Sequence, residues 1–198
     1  MQRLQDTEGR IYMNNVIYVT CGHNETKEMI LNHQEANLMI LSIPFSDPIA
    51  EDPMLQASSV KALKNGCSVH RIFQMMEEVQ KENHVPFIIR TYANVIFSYG
   101  TSRFIEACGR LHVQGILVPD LPFEEKEEFE PECIKHHVHL ISTISTTSKN
   151  RIETIAKEAK GYLYVSSRKN ESIDTTMKSI QAYTNVPCIV DANIQYLL

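Results

Sequence analysis

The sequence predicts an α/β fold of the TIM (β/α)8-type barrel class, incompletely closed, with about seven parallel strands. Three observations carry that prediction. Short runs rich in Val, Ile, Leu and Tyr alternate with segments of helical periodicity, as in successive βαβ units. Several of the strand-like runs are apolar almost throughout, which suits a parallel sheet covered on both faces. Two proline-braced loops, Pro44–Pro53 and Pro119–Pro122, each follow the C-terminal end of such a run. In barrels and doubly wound sheets that is the end where ligands bind.

The elements follow in order. Val16–Thr20 is the first strand and turns at Cys21-Gly22, and Glu25–His33 is a short helix. Asn37–Ile43 is the second strand. It runs into a segment where Pro44, Pro48 and Pro53 forbid an interior helix or central strand, because proline fixes φ and lacks the N–H donor. Leu55–Lys64 reads as a helix stopped by Asn65-Gly66, and Ser68 caps another over Val69–Glu82. Pro86–Thr91 is the third strand, Thr101 or Ser102 opens a helix through Arg110, and Val113–Val118 is the fourth strand. Glu124–Glu130 marks the solvated face of the next helix. Val138–Ile144 and Tyr162–Val165 are the fifth and sixth strands, flanking a helix over Ser148–Lys160. A helix over Ile173–Tyr183 and a seventh strand over Val186–Val190 leave only Asp191–Leu198. The expectation is a single barrel domain over residues 1–198, C-terminally truncated, without the last strand and helices.

Composition narrows the function classes. A formal net charge of −5 without a basic stripe argues against nucleic acid. No run approaches the length of a membrane span, and the N-terminus has no apolar leader core, so a cytoplasmic location is expected. The 5 cysteines contain no C-x-x-C and read as reduced, mostly buried thiols. His136, His137 and His139 cluster near one strand but have no evident third ligand of the right geometry, so no metal site is expected.

The loop itself, I-P-F-S-D-P-I-A-E-D-P, carries Ser46, Asp47, Glu51 and Asp52. It resembles the signature loop of the tryptophan synthase alpha subunit family, E-L-G-I-P-F-S-D-P-x-A-D-G-P, with I-P-F-S-D-P unbroken from Ile43 to Pro48. T-Y-A-N-V-I-F-S-Y-G (Thr91–Gly100), G-I-L-V-P-D-L-P-F-E-E (Gly115–Glu125) and G-Y-L-Y-V-S-S-R (Gly161–Arg168) are similar to later family patterns. The resemblance implies retro-aldol cleavage of indole-3-glycerol phosphate to indole and glyceraldehyde 3-phosphate, in the biosynthesis of tryptophan. It implies a catalytic Glu on the second strand, a catalytic Asp in the proline loop and a phosphate held by glycine-rich turns. It also implies no cofactor in this chain, pyridoxal phosphate belonging to a beta subunit that meets the proline loop through Pro44, Phe45, Asp47 and Pro48.

The departures bear on chemistry. Read without a gap, the family Glu position is Ile40, which cannot transfer a proton, and the family Asp position is Glu51. Where glycine-bearing phosphate loops are expected, the chain has Lys169-Asn170-Glu171-Ser172 and Asp191-Ala192-Asn193-Ile194. Carboxylates there would repel a phosphate dianion. Strand alternation places Leu38, Ile40 and Ser42 on one face, and the resemblance, through the family Glu position, implies that this face is the barrel interior. Tyr18, Tyr92, Asp120 and Tyr164 are the candidate pocket residues. Three readings stay open at this point. The chain is a working lyase with a replacement acid, a pseudoenzyme that binds the beta subunit, or a binder of another small molecule. The missing strand further predicts self-association through an open barrel edge.

Overall fold

The run V-I-Y-V-T is buried at every position, and these residues form the first strand of the barrel, β3 (Val16–Thr20). A computed structural model of the chain describes residues 4–5, 11–48, 51–148, 150–166 and 173–197. Two short strands, β1 (Leu4–Gln5) and β2 (Ile11–Tyr12), precede β3. Parallel strands β4 (Leu38–Ser42), β5 (Phe87–Arg90), β6 (Gly115–Leu117), β7 (His139–Ser145), β8 (Leu163–Ser166) and β9 (Cys188–Val190) follow. Each is hydrogen-bonded to the one before it.

Side-chain alternation divides the core. Val16, Tyr18, Leu38, Ile40, Ile88, Leu117, Ile141 and Ile189 pack together inside the barrel. Their neighbours Ile17, Val19, Met39, Leu41, Ile43, Phe87, Ile89 and Ile116 pack outward against helices. The outer layer comprises α1 (Thr26–Leu31), α2 (Pro53–Lys64), α3 (Val69–Val79), α4 (Ala93–Tyr99) and α5 (Thr101–Arg110). It continues with α6 (Glu130–Lys135), α7 (Ile152–Glu158) and α8 (Ile173–Gln181). Ile72, Phe73, Met76 and Val79 are the buried stripe of α3, as its periodicity predicts, and the Ser68 hydroxyl accepts from the Arg71 N–H at 3.3 Å.

Several boundaries differ from those read in the sequence. Pro53 opens α2 instead of ending the loop: Asp52 caps it, accepting from the Met54 N–H at 2.9 Å, and proline is well suited to the first helical turn. The segment after Tyr92 is the helix α4, which the sequence did not suggest; it ends at Gly100, whose φ of 96° lets α5 start at once in a new direction. The acidic run forms a 3-10 segment, Phe123–Glu128, and α6 begins only where Pro131 sits in the first turn. Ser148 belongs to a turn closed on Ser145, so α7 starts later than its apolar pattern suggested.

The end of the chain corrects the expectation of an absent eighth strand. After β9 a single 3-10 turn, Asp191–Asn193, leads into β10 (Ile194–Leu197). β10 runs parallel to β3 in the register Ile194↔Val16 to Leu197↔Val19. Its alternation explains the placement. Ile194 joins the barrel interior, Leu197 packs against the outer layer and Gln195 is exposed. On the far side Tyr12 pairs with Cys188, and the Met13 N–H donates to the Cys188 carbonyl at 2.8 Å. The β3 and β9 edges that the sequence left open are thus paired within the chain, while β10 and β1 stand at the two ends of the sheet, so the barrel is nearly closed. Among the described residues no helix is long and apolar enough to cross a membrane.

Candidate functional site at the barrel mouth

Ile88 faces the barrel interior, so Arg90, two residues on, faces it as well. It stands at the C-terminal end of β5, in register with Ser42 and Leu117. There it meets Glu51 from the proline loop, Arg90 Nη1 lying 2.5 Å from Glu51 Oε1. The Tyr92 hydroxyl donates to the same oxygen at 2.7 Å, and Nη1 also reaches the Tyr18 hydroxyl at 3.4 Å. The two charged side chains are only 12% and 5% exposed. The guanidinium carbon lies 5.5 Å from the Tyr92 ring centre and 6.0 Å from that of Tyr18, within range of the ring quadrupoles. Burial works against the charge on Arg90, but the facing Tyr18, Glu51 and Tyr92 outweigh it and raise its pKa. Burial, reinforced by the hydrogen bond to Glu51, pushes the Tyr92 phenol up to about 12. The arrangement is a closed ion pair braced by phenols.

Tyr196, carried by β10, completes the mouth. Its ring centre is 5.0 Å from that of Tyr18, and it shares a side-chain hydrogen bond with Tyr164. Burial raises Tyr18, opposed by Arg90, and raises Tyr164 well above an ordinary phenol, with Tyr196 and Asp191 adding to the effect. Below these groups the floor is apolar. Ile40 is fully buried and packs among Leu38, Ile88, Leu117 and Ile141.

The other sequence candidates lie as follows. Asp120 accepts from the Ala93 N–H with both carboxylate oxygens, at 3.0 and 3.3 Å, and so caps the start of α4. In the proline loop Pro44 is buried, Phe45 packs its ring 5.0 Å from that of Tyr92, Pro48 is half-buried and Asp47 is exposed. His136 lies 3.5 Å from Glu132, and among the described residues no group of three His, Cys, Asp or Glu side chains could hold a metal ion. Lys169–Ser172 lie outside the described residues. Asp191 is half-buried at the start of the turn into β10.

Comparison with known proteins gives this arrangement its context. The family model described as tryptophan synthase alpha chain matches residues 4–195. The chain belongs to the tryptophan synthase alpha chain family. A family member from Lacticaseibacillus casei is 36% identical over 168 residues, covering 80% of this chain and 63% of its own length. One from Bacillus cereus is 35% identical over 185 residues, covering 87% and 72%. The chain thus spans somewhat under two thirds of the first relative's length and nearly three quarters of the second's. Among solved structures, tryptophan synthase subunit alpha from Campylobacter jejuni superposes with a TM-score of 0.80 at 25% identity, over 90% of this chain and 77% of that one. A chain of the tryptophan synthase complex from Pyrococcus furiosus gives 0.78 at 25% identity, over 89% and 76%.

Within this family member, the structure brings together Tyr18, Glu51, Tyr92 and Tyr164 of the residues marked in the sequence. It keeps Asp120 at a helix terminus and Ile40 in the floor. Two members of the cluster went unmarked. Arg90 had a signal, a lone cation in the apolar run P-F-I-I-R-T at the same parity as an inward Ile88. Tyr196 had little, since I-Q-Y-L alternates over only four residues.

Proposed function

We propose that residues 1–198 form a single barrel domain acting as an alpha-type subunit of tryptophan synthase that has lost efficient cleavage of indole-3-glycerol phosphate and keeps the surface that meets the beta subunit. One observation carries the reading: the loop acid, Glu51, is consumed by Arg90 and Tyr92, while the family Glu position is the buried aliphatic Ile40. The retro-aldol step needs a group that gives and takes a proton at the indole ring, and loss of such a group alone slows a reaction by about 10²–10⁴. Glu51 in a closed ion pair makes a poor substitute. Asp191, near where a phosphate would be held, adds repulsion against the substrate's dianion.

The partner half of the reading is supported by the intact Ile43–Pro48 run, by the exposed Asp47 within it and by the exposed Met54 beyond it. The Pyrococcus furiosus relatives include a complex described for the mutual activation of its two kinds of subunit. No cofactor is assigned to this chain; pyridoxal phosphate belongs to the beta subunit. The five unpaired cysteines suit a cytoplasmic setting.

The deciding experiment measures indole release from indole-3-glycerol phosphate, with and without a beta subunit, beside a full-length alpha chain. The expected outcome is no turnover by this chain, together with a rise in the beta subunit's own activity on titration. Turnover close to the full-length control overturns the proposal. Ile40→Glu is expected to leave indole release undetectable, because the Arg90–Glu51 pair and the altered phosphate turns remain in place.

A further inference from the structure

The Arg90–Glu51 pair lies between two things that need not be connected, the barrel interior and the segment that faces outward. The loop is held at two points. Near its start the Phe45 ring packs on Tyr92, and near its end Glu51 is held by Arg90 and by the hydroxyl of the same Tyr92. From Glu51 the connection passes to the helix that follows. Its carbonyl accepts from Gln56 Nε2 at 2.9 Å, and Asp52, the next residue, caps α2. Ser46 and Asp47, between the two holding points, are exposed and joined by a 2.9 Å hydrogen bond from the Ser46 hydroxyl. Met54, in the first turn of α2, is 67% exposed.

We infer that Arg90 is a positioning residue whose ion pair with Glu51 fixes Glu51–Met54 relative to Phe45–Pro48 from inside the barrel, so that the partner-facing surface formed by these residues is preformed with no small molecule bound. Buried ion pairs add little net stability compared with apolar packing, and their best-attested use is to select one arrangement among several. Here the selected element is a loop. A segment already ordered before contact loses less freedom on binding, which favours affinity without adding contacts. The inference rests on the partner reading above for its consequence, though not for the ordering itself.

The test uses the full chain and the variants Arg90→Met, Glu51→Gln, and both together. Amide hydrogen exchange reads the ordering directly and requires no partner. Exchange over residues 45–56 is expected to quicken about tenfold or more in each single variant, with the protection of β4, β6 and β7 unchanged. Affinity for a beta subunit, with no other ligand present, is expected to fall about tenfold in each single variant and scarcely further in the double one, as for two groups acting through one contact. Unchanged exchange over 45–56 in a folded Arg90→Met chain overturns the inference even if the partner binds. Failure of the unmodified chain to bind any beta subunit overturns the partner reading, while the exchange result still decides whether the pair orders the loop. Tyr92→Phe, which removes the hydroxyl that donates to Glu51 and no charge, provides the same readout should Arg90→Met fail to fold; no change in it counts against the inference equally.

Discussion

Between β4 and β6 the barrel mouth is tied together by side chains, whereas on the side of β9 and β3 each strand is tied to a short flanking strand by backbone pairing. On the first side Glu51 reaches Arg90 and Tyr92, Asp120 reaches the start of α4, and Phe45 lies on Tyr92. On the second side Cys188 pairs with Tyr12 and Leu163, and β10 lies along β3. The difference accounts for where the family pattern remains readable. A side-chain tie demands particular residue types at both ends, and I-P-F-S-D-P, Y-A-N and P-D-L-P stand on the first side, whereas the second keeps only G-Y-L-Y-V-S along β8. Backbone pairing asks only for a strand with an apolar face, so the chain beyond Val190 can read D-A-N-I-Q-Y-L-L and still fill the place beside β3.

Three substitutions or conditions sharpen that contrast, from the largest effect to the smallest. On the backbone-tied side Ile194→Ala should destabilise the fold by about 2–3 kcal/mol, because it removes most of a buried side chain from the interior where the last strand is anchored. Urea unfolding midpoints with an unchanged slope would measure it. A cost under about 1 kcal/mol would mean that β10 contributes little to closure. On the side-chain-tied side Asp120→Ala should cost about 1 kcal/mol, the ordinary value of a helix cap, since it leaves the Ala93 N–H without its acceptor. Asp120→Asn should recover most of that, because an amide oxygen can still accept. The smallest effect concerns pH. The Tyr92 phenol has a folded pKa of about 12 against an ordinary value of 10.0, so the native state keeps a proton that the unfolded chain releases. Its contribution is therefore complete below pH 10 and is lost as the pH rises through about 12. Tyr92→Phe should flatten that part of the stability profile; an unaltered slope would assign the effect to Tyr18 or Tyr164 instead.

Much of the architecture was legible because its causes are local. The continuous apolar run behind the fully buried Leu38–Ser42, the Ser68 cap and the Asn65-Gly66 stop are each encoded within a few residues. Parity in β4 separated Ile40 from Met39, the family Glu position put Ile40 on the inner face, and the structure has Ile40 inside and Met39 outside. What escaped notice depends on partners far along the chain. α4 forms where Asp120, 27 positions later, supplies the acceptor for its first N–H. Glu51 reads as a free loop acid until Arg90, 39 positions away, folds against it. β10 has too few residues for its alternation to stand out and becomes a strand because β3 presents an unpaired edge.

That last pairing has a kinetic side. Val16 and Ile194 are far apart in sequence, so their ladder closes one of the longest loops among the described residues, and such non-local pairing is slow to form. A growing chain could assemble β3 through β6 with its outer helices long before β10 has been made. During that interval the free rim of β3 offers its N–H and C=O groups to any extended segment nearby. The Tyr18–Tyr196 stack then becomes a marker of completion, two rings that can meet only when β10 has taken its place along β3. Followed by tyrosine fluorescence during refolding, that contact would report the last event in the assembly of the barrel rather than the first.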